Sequence, residues 1–471
     1  MNTLLAKSLL IAVAAVLLLI DVGASAPGDD EIVGDWFGSL VAAGGQLRLK
    51  LQIAADGSQA LKAVLVSIDQ GGAVIPASKV SRQGSVWYIE FERISGIFVG
   101  ELGTDAGSPK LAGTWTQNGV ALPLTFRRTD QAPPIARPQV PKKPYPYREE
   151  AVSFENSKAP AKFAATLTLP PGKGPFPAVV LIKGSGPHDR DETVFDHKPF
   201  LILADYLTRR GIATLRYDDR GVGGSTGDRS RATTLDFTDD ALAGLAFLTT
   251  RPEIDHARIG LVGHSEGATI ASIAATKSND VAFIVMLAGI GVVGEEVLYL
   301  QGWKLLERQG ASKEAVARER AIQEGSFSAV KQEKDDVAAE KRIREVCRSA
   351  GGMTDAAIAL TVKQVTSPWL RFFLTLDPRP TLEKVRCPVL ALNGGKDTQV
   401  TPKENAPAVE AALKAGGNRD CTVRILPGLN HLFQTCNTGM LNEYGQIEET
   451  FAPSALQVIG DWILKHAGAG G

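Results

Sequence analysis

Gly263-His264-Ser265-Glu266-Gly267 follows an apolar run at 259–262 and precedes a run of small residues at 268–275. The succession predicts strand, sharp turn and helix, with the Ser265 hydroxyl raised at the carboxyl edge of a sheet. The flanking glycines let strand and helix approach without side-chain clash.

Working outward, compact apolar runs at 178–182, 213–217, 283–287 and 389–393 read as strands buried on both faces. Amphipathic stretches at 200–210 and 236–249 lie between them, and a last helix is expected at 454–466. Alternating strands and helices of this kind make a doubly wound, mostly parallel α/β domain, here expected over 148–468. The alternation breaks at about 293–380, a charged stretch of helical period. Its place between two strands suits a helical cap inserted above the sheet edge.

The chain has 471 residues, so more than one domain is expected. In 31–128, Leu47, Leu49, Leu51 and Ile53 alternate with polar residues. Similar runs at 60–67, 86–91, 97–102 and 120–126 predict a small all-β domain, a curved sheet or partial barrel. Trp36, Trp87 and Trp115 either line a ligand surface there or fill its core. Residues 129–147 carry Pro133, Pro134, Pro138, Pro141, Pro144 and Pro146, which predicts a stiff linker.

At the amino end, Lys7, an apolar run at 8–20 and small residues at 22–26 form the pattern of a secretory signal peptide over 1–24, cut after Ala24. The apolar run is too short to span a bilayer. An exported protein, periplasmic or extracellular, with no membrane span after signal removal is expected. Formal net charge is −1 with no basic cluster, which disfavours nucleic acid as a partner. Oligomeric state is not encoded in any legible feature.

Export makes the four cysteines disulfide candidates. Cys387 and Cys421 each open an expected strand, and Cys347 and Cys436 fall in segments expected above the opposite edge, so Cys387–Cys421 and Cys347–Cys436 are the expected pairs, with free buried thiols the alternative. Cys421–Cys436 is disfavoured, because the intervening strand spans roughly 20 Å and bridged Cα atoms lie about 4.4–6.8 Å apart.

A serine hydroxyl needs a base to take its proton, and the base needs an orienting acid. Asp397 follows the strand at 389–393 through Gly394-Gly395-Lys396, which places it at the carboxyl edge of the sheet. His431 follows a strand at 422–426 through Pro427-Gly428-Leu429-Asn430 and reaches the same edge. Of the six histidines, only His466 also follows Asp397, and it sits on the terminal helix. The order serine, acid, histidine therefore assigns Ser265, Asp397 and His431. An oxyanion needs backbone donors, expected from Glu266 and from Ser185, with Gly186 the near alternative. Trp369, Phe372 and Phe373 of the cap are candidates for an acyl pocket or for core packing.

Two other motifs carry less. Arg220-Gly221-Val222-Gly223-Gly224-Ser225 lacks the third glycine of a dinucleotide loop and reads as a turn, so no cofactor is expected. His188, Asp189, Asp191, Glu192, Asp196 and His197 match no usual zinc spacing, and no metal is expected.

Four stretches together carry a resemblance: 184–191 (Gly-Ser-Gly-Pro-His-Asp-Arg-Asp), 216–221 (Arg-Tyr-Asp-Asp-Arg-Gly), 263–267 and Asn430-His431-Leu432-Phe433. They resemble the secreted bacterial α/β-hydrolases near the serine aminopeptidases, and within them the two-domain EstD-type carboxylesterases. The resemblance covers 148 to the end. It implies an α/β-hydrolase fold with a helical cap, and Ser265, Asp397 and His431 as nucleophile, acid and base. His197 stands where an asparagine would be expected. The expected function is an exported serine hydrolase, a carboxylesterase on short or medium acyl esters with a small-molecule ester as partner. The alternatives are a serine aminopeptidase or acyl thioesterase on the same residues, or a periplasmic ligand-binding module with an idle hydrolase domain.

Overall fold

The computed structural model describes residues 31–42, 45–55, 60–68, 73–105, 107–117, 120–129 and 137–468. The expected signal segment at 1–24 lies outside the described residues. Two units emerge, Met1–Ala136 and Arg137–Gly471.

The first unit is one antiparallel sheet of nine strands. They are β1 (Gly34–Ala42), β2 (Gly45–Ala55), β3 (Leu61–Ser67), β4 (Ala73–Pro76), β5 (Lys79–Gln83), β6 (Val86–Phe91), β7 (Gly96–Asp105), β8 (Ser108–Gln117) and β9 (Val120–Arg127). The spatial order is β4-β3-β2-β1-β9-β8-β7-β6-β5. Leu49, Leu51 and Ile53 turn one face of β2 inward, as their spacing demands. Trp36, Trp87 and Trp115 fill this core. The Trp36 indole N–H donates to the Ile32 carbonyl at 2.7 Å, so its polar edge is satisfied. Core packing, not a ligand surface, is where these tryptophans go.

The second unit is built on an eight-stranded sheet. Its strands are β10 (Arg148–Asn156), β11 (Ala161–Leu169), β12 (Phe176–Ile182), β13 (Ala213–Tyr217), β14 (Ile254–His264), β15 (Phe283–Leu287), β16 (Val389–Gly394) and β17 (Cys421–Leu426). Their order is β10-β11-β13-β12-β14-β15-β16-β17. The first two pairings are antiparallel and the others parallel. This is the doubly wound fold that the alternating runs announce.

Period two decides which side chain serves which face. Ala178, Val180 and Ile182 of β12 join one apolar cluster with α2 (Thr234–Thr249), α3 (Glu266–Lys277) and α11 (Pro402–Ala415). Val179 and Leu181 join the other with α1 (Pro199–Arg209) and α13 (Pro453–His466). Each fully buried Val, Leu, Ile or Phe contributes about 1.5–3 kcal/mol, so both helical layers are firmly held to the strands.

Between β15 and β16 the chain leaves the sheet to form seven helices. These are α4 (Gly294–Gln301), α5 (Trp303–Arg308), α6 (Lys313–Gln332), α7 (Asp336–Ala350), α8 (Asp355–Val365), α9 (Pro368–Thr375) and α10 (Arg379–Leu382). Ser312, Asp335, Thr354 and Ser367 start four of them, each side chain accepting from a first-turn backbone N–H. Ile322, Phe327, Val330, Ile343, Ile358 and Val362 give this cap its own apolar core.

Residues 137–147 are part of the second unit and are held to its α/β body. Arg137 donates to the carbonyls of Phe195, Gly445 and Ile447, and the Tyr147 hydroxyl to Asp205 at 2.9 Å.

The expected disulfides are not present, and all four cysteines are free thiols. Cys421 pairs in register with Val389, the first residue of β16, and Cys387 lies two residues before that strand begins. Cys347 is consumed by the cap core, and the Cys436 thiol donates to the Gly428 carbonyl at 3.3 Å.

Candidate active site

Ser265 sits between β14 and α3 with φ 55° and ψ −117°. A left-handed φ is costly for a residue with a Cβ and persists only where surroundings over-determine it. Here they do. A Cβ on Gly263 would stand 2.0 Å from the Gly267 carbonyl oxygen, and one on Gly267 would stand 2.1 Å from that of Ile182. No other residue type fits either position. The Ser265 N–H is fixed to the Leu287 carbonyl at 2.7 Å.

Asp397 follows β16. Its Oδ1 accepts the N–H groups of Gln399 and Val400 at 2.8 and 2.9 Å. Its Oδ2 lies 2.7 Å from Nδ1 of His431, which follows β17. Both side chains are buried. A carboxylate on Nδ1 favours the tautomer in which Nε2 carries no proton. The Tyr444 hydroxyl accepts the His431 N–H at 3.3 Å and steadies that loop.

Ser265 and His431 line one cavity of about 130 Å³ with Gly184, Ser185, His188, Leu432 and Tyr444. Neither the Ser185 nor the Glu266 backbone N–H donates to a described protein group. The Gly184 N–H is already taken by Glu192 Oε1 at 2.7 Å. Ser185 and Glu266 thus keep the donors that an oxyanion needs.

Glu266 is buried, and its Oε1 accepts from Thr234 Oγ1 and from the Trp369 indole N–H, both at 2.7 Å. Burial pushes its carboxyl above the usual range, although the two donors pull the other way. Trp369 also lines a larger cavity of about 810 Å³ within the cap, with Ile322, Phe327, Leu370, Arg318 and Glu319. Of the other two aromatic candidates, Phe373 is buried among Ile290, Val297 and Val400 and stacks on Trp369. Phe372 packs into neither of these clusters.

The acidic and histidine cluster at 188–197 disperses to separate tasks. Asp189 holds Thr193, Asp191 pairs with Arg216, and Glu192 pairs with His264. His197 is buried against Thr450 Oγ1 and the Tyr444 carbonyl. Burial, helped by Arg137, depresses its pKa to about 4. The His264–Glu192 contact is not legible in the sequence, because the partners are 72 positions apart and each sits in a motif read for another purpose.

The sequence is 28% identical over 270 residues to Esterase EstD of Thermotoga maritima, a match spanning 56% of this chain and 57% of that esterase's length. It is also 28% identical over 222 residues to an uncharacterized 31.7 kDa protein from the traX-finO intergenic region of Escherichia coli, covering 45% of this chain and 72% of the other. Among solved structures, the alpha/beta hydrolase GrgF from Penicillium sp. sh18 is 15% identical with a TM-score of 0.43, covering 68% of this chain and 99% of that one. The family described as Serine aminopeptidase, S33 matches residues 198–435, half of the chain and the stretch that carries Ser265, Asp397 and His431. This chain belongs to the serine aminopeptidase S33 family of α/β-hydrolases.

Proposed function

We propose that the protein is an exported serine hydrolase, a carboxylesterase that cleaves short or medium acyl esters. One observation carries the reading: His431, paired with the buried Asp397, lines the same cavity as a serine held on a strained strand-to-helix turn. The likeness to Esterase EstD supports an ester as substrate. The leader pattern at 1–24 supports export.

In this reading His431 takes the Ser265 proton as Oγ bonds to the acyl carbonyl carbon. Asp397 keeps the imidazole oriented and balances its positive charge. The Ser185 and Glu266 N–H groups stabilise the oxyanion. The bond from the acyl carbon to the alcohol oxygen then breaks, and His431 returns the proton to that oxygen. Water, deprotonated by His431, releases the acid and restores the serine.

An aminopeptidase on the same residues would need a free carboxylate to hold the substrate amine. Glu192 is the acidic side chain among the described residues lining the cavity, and it is committed to His264 and Gly184. Rates on p-nitrophenyl butyrate and on amino-acid p-nitroanilides separate the two chemistries. The ester should turn over and the anilides should not; the reverse result overturns the esterase reading.

A further inference from the structure

His264 Nδ1 lies 2.9 Å from Glu192 Oε1, and its Nε2 lies 3.0 Å from the His431 carbonyl oxygen. A carbonyl can only accept. An ionised carboxylate can only accept. A neutral imidazole has one N–H and satisfies one such partner, whereas an imidazolium satisfies both. A protonated Glu192 facing a neutral imidazole would satisfy the same two contacts, but its Oε1 also accepts the Gly184 N–H, which favours the carboxylate. From these contacts we infer that His264 and Glu192 form a buried imidazolium–carboxylate strut that positions the oxyanion loop and the base loop around Ser265.

The surroundings fit a charged pair. Both residues are almost fully buried. Glu192 Oε1 also accepts the Gly184 N–H, and its Oε2 is buried with no partner among the described groups. Burial alone would lower the His264 pKa, but the charge and hydrogen bond of Glu192 outweigh it and the net direction is upward. For Glu192 burial acts upward, and His264 outweighs it, so the net direction is downward. Each partner stabilises the charged form of the other.

The pair joins three segments that have no covalent reason to keep register. His264 ends β14, one residue before Ser265. Glu192 holds Gly184, one residue before Ser185. The His264 Nε2 bond holds the backbone of His431 itself. Glu192 has a left-handed backbone, φ 54°, a strain that this pairing helps retain. The other titratable groups facing the pair are His188 beside Glu192, Asp397 behind His431, the His431 ring (4.7 Å between ring centroids) and the Tyr444 hydroxyl on the base loop. His264 touches no reacting atom in this account. It is a positioning residue.

The test has a spectroscopic arm that does not depend on the proposed function and a kinetic arm that does. In the full chain labelled with ¹⁵N-histidine, one imidazole should show both ring nitrogens protonated across pH 5.5–8.5. In Glu192→Gln that signal should be replaced by a neutral tautomer, which also assigns it. A wild-type spectrum with no doubly protonated ring at pH 7.5, or one unaffected by Glu192→Gln, overturns the inference. Glu192→Gln should lower kcat on p-nitrophenyl butyrate by roughly tenfold to a hundredfold, the size expected for a small misplacement of reacting groups, with KM almost unchanged. His264→Gln leaves the Glu192 anion unbalanced near His431, so the acid limb of kcat/KM should move to higher pH. Glu192→Gln replaces one neutral pair with another, so its limb should move less. Unchanged kcat in Glu192→Gln, in a protein active as wild type, contradicts the positioning role. If His264→Gln does not fold, the wild-type and Glu192→Gln spectra still decide the charge state.

Discussion

The Trp369 indole N–H and the Glu266 carboxylate meet at 2.7 Å, so a cap helix is hydrogen-bonded to the residue that directly follows Ser265. The same indole forms part of the cap cavity wall. Trp369→Phe keeps the ring and removes the donor. Losing one hydrogen bond to a buried carboxyl costs about 1–3 kcal/mol. The expected outcome is a roughly tenfold lower kcat/KM on p-nitrophenyl butyrate with a modest loss in Tm. Wild-type kinetics in Trp369→Phe would show that the cap contact does not reach the nucleophile.

In the proposed mechanism Asp397 orients the base, so it should matter more than any cap residue. Asp397→Asn preserves size but favours the wrong imidazole tautomer, and a fall in kcat of roughly 10³–10⁴ is expected. Circular dichroism and thermal melting should show a folded protein. Retained activity would mean that another carboxylate orients His431.

His197 predicts how stability depends on pH. Its pKa is lowered to about 4 in the fold, against an unperturbed value of about 6.5. Between those values the unfolded chain binds the extra proton, so stability should rise with pH through that window and be lost as pH falls. The full effect is on the order of 3 kcal/mol. His197→Asn has no proton to gain, so its Tm should fall less than that of wild type between pH 6.5 and 4.5. Parallel curves for the two proteins would refute the assignment.

Gly267 of the elbow has space for no Cβ beside the Ile182 carbonyl. Gly267→Ala should separate α3 from β12 and abolish activity even where soluble protein is recovered. Near-normal turnover would show that the turn has slack that these distances deny.

Legibility tracked local chemistry. Ser265 was readable because an apolar strand, a glycine-flanked turn and a small-residue helix are adjacent in sequence. Asp397 and His431 were readable from chain order and strand ends. In the first unit, β8 went unread because Leu111 and Trp115 are its buried side chains, four apart with Gly113 between, so no alternation shows. The short β4 and β5 and the glycine-rich β1 were missed for similar reasons. The cysteine pairing failed because strand register and the cap's own core decide where those thiols go, and neither is a local property. His264 and Glu192 were hidden because only the folded chain counts a donor against its acceptors.

The central claim is that Ser265 is a nucleophile activated by His431. Intact-mass measurement after brief exposure to a fluorophosphonate tests it most directly. The account predicts one adduct per chain, mapped to Ser265, absent in Ser265→Ala and formed far more slowly in His431→Ala. An adduct on another residue, or undiminished labelling in Ser265→Ala, would contradict it.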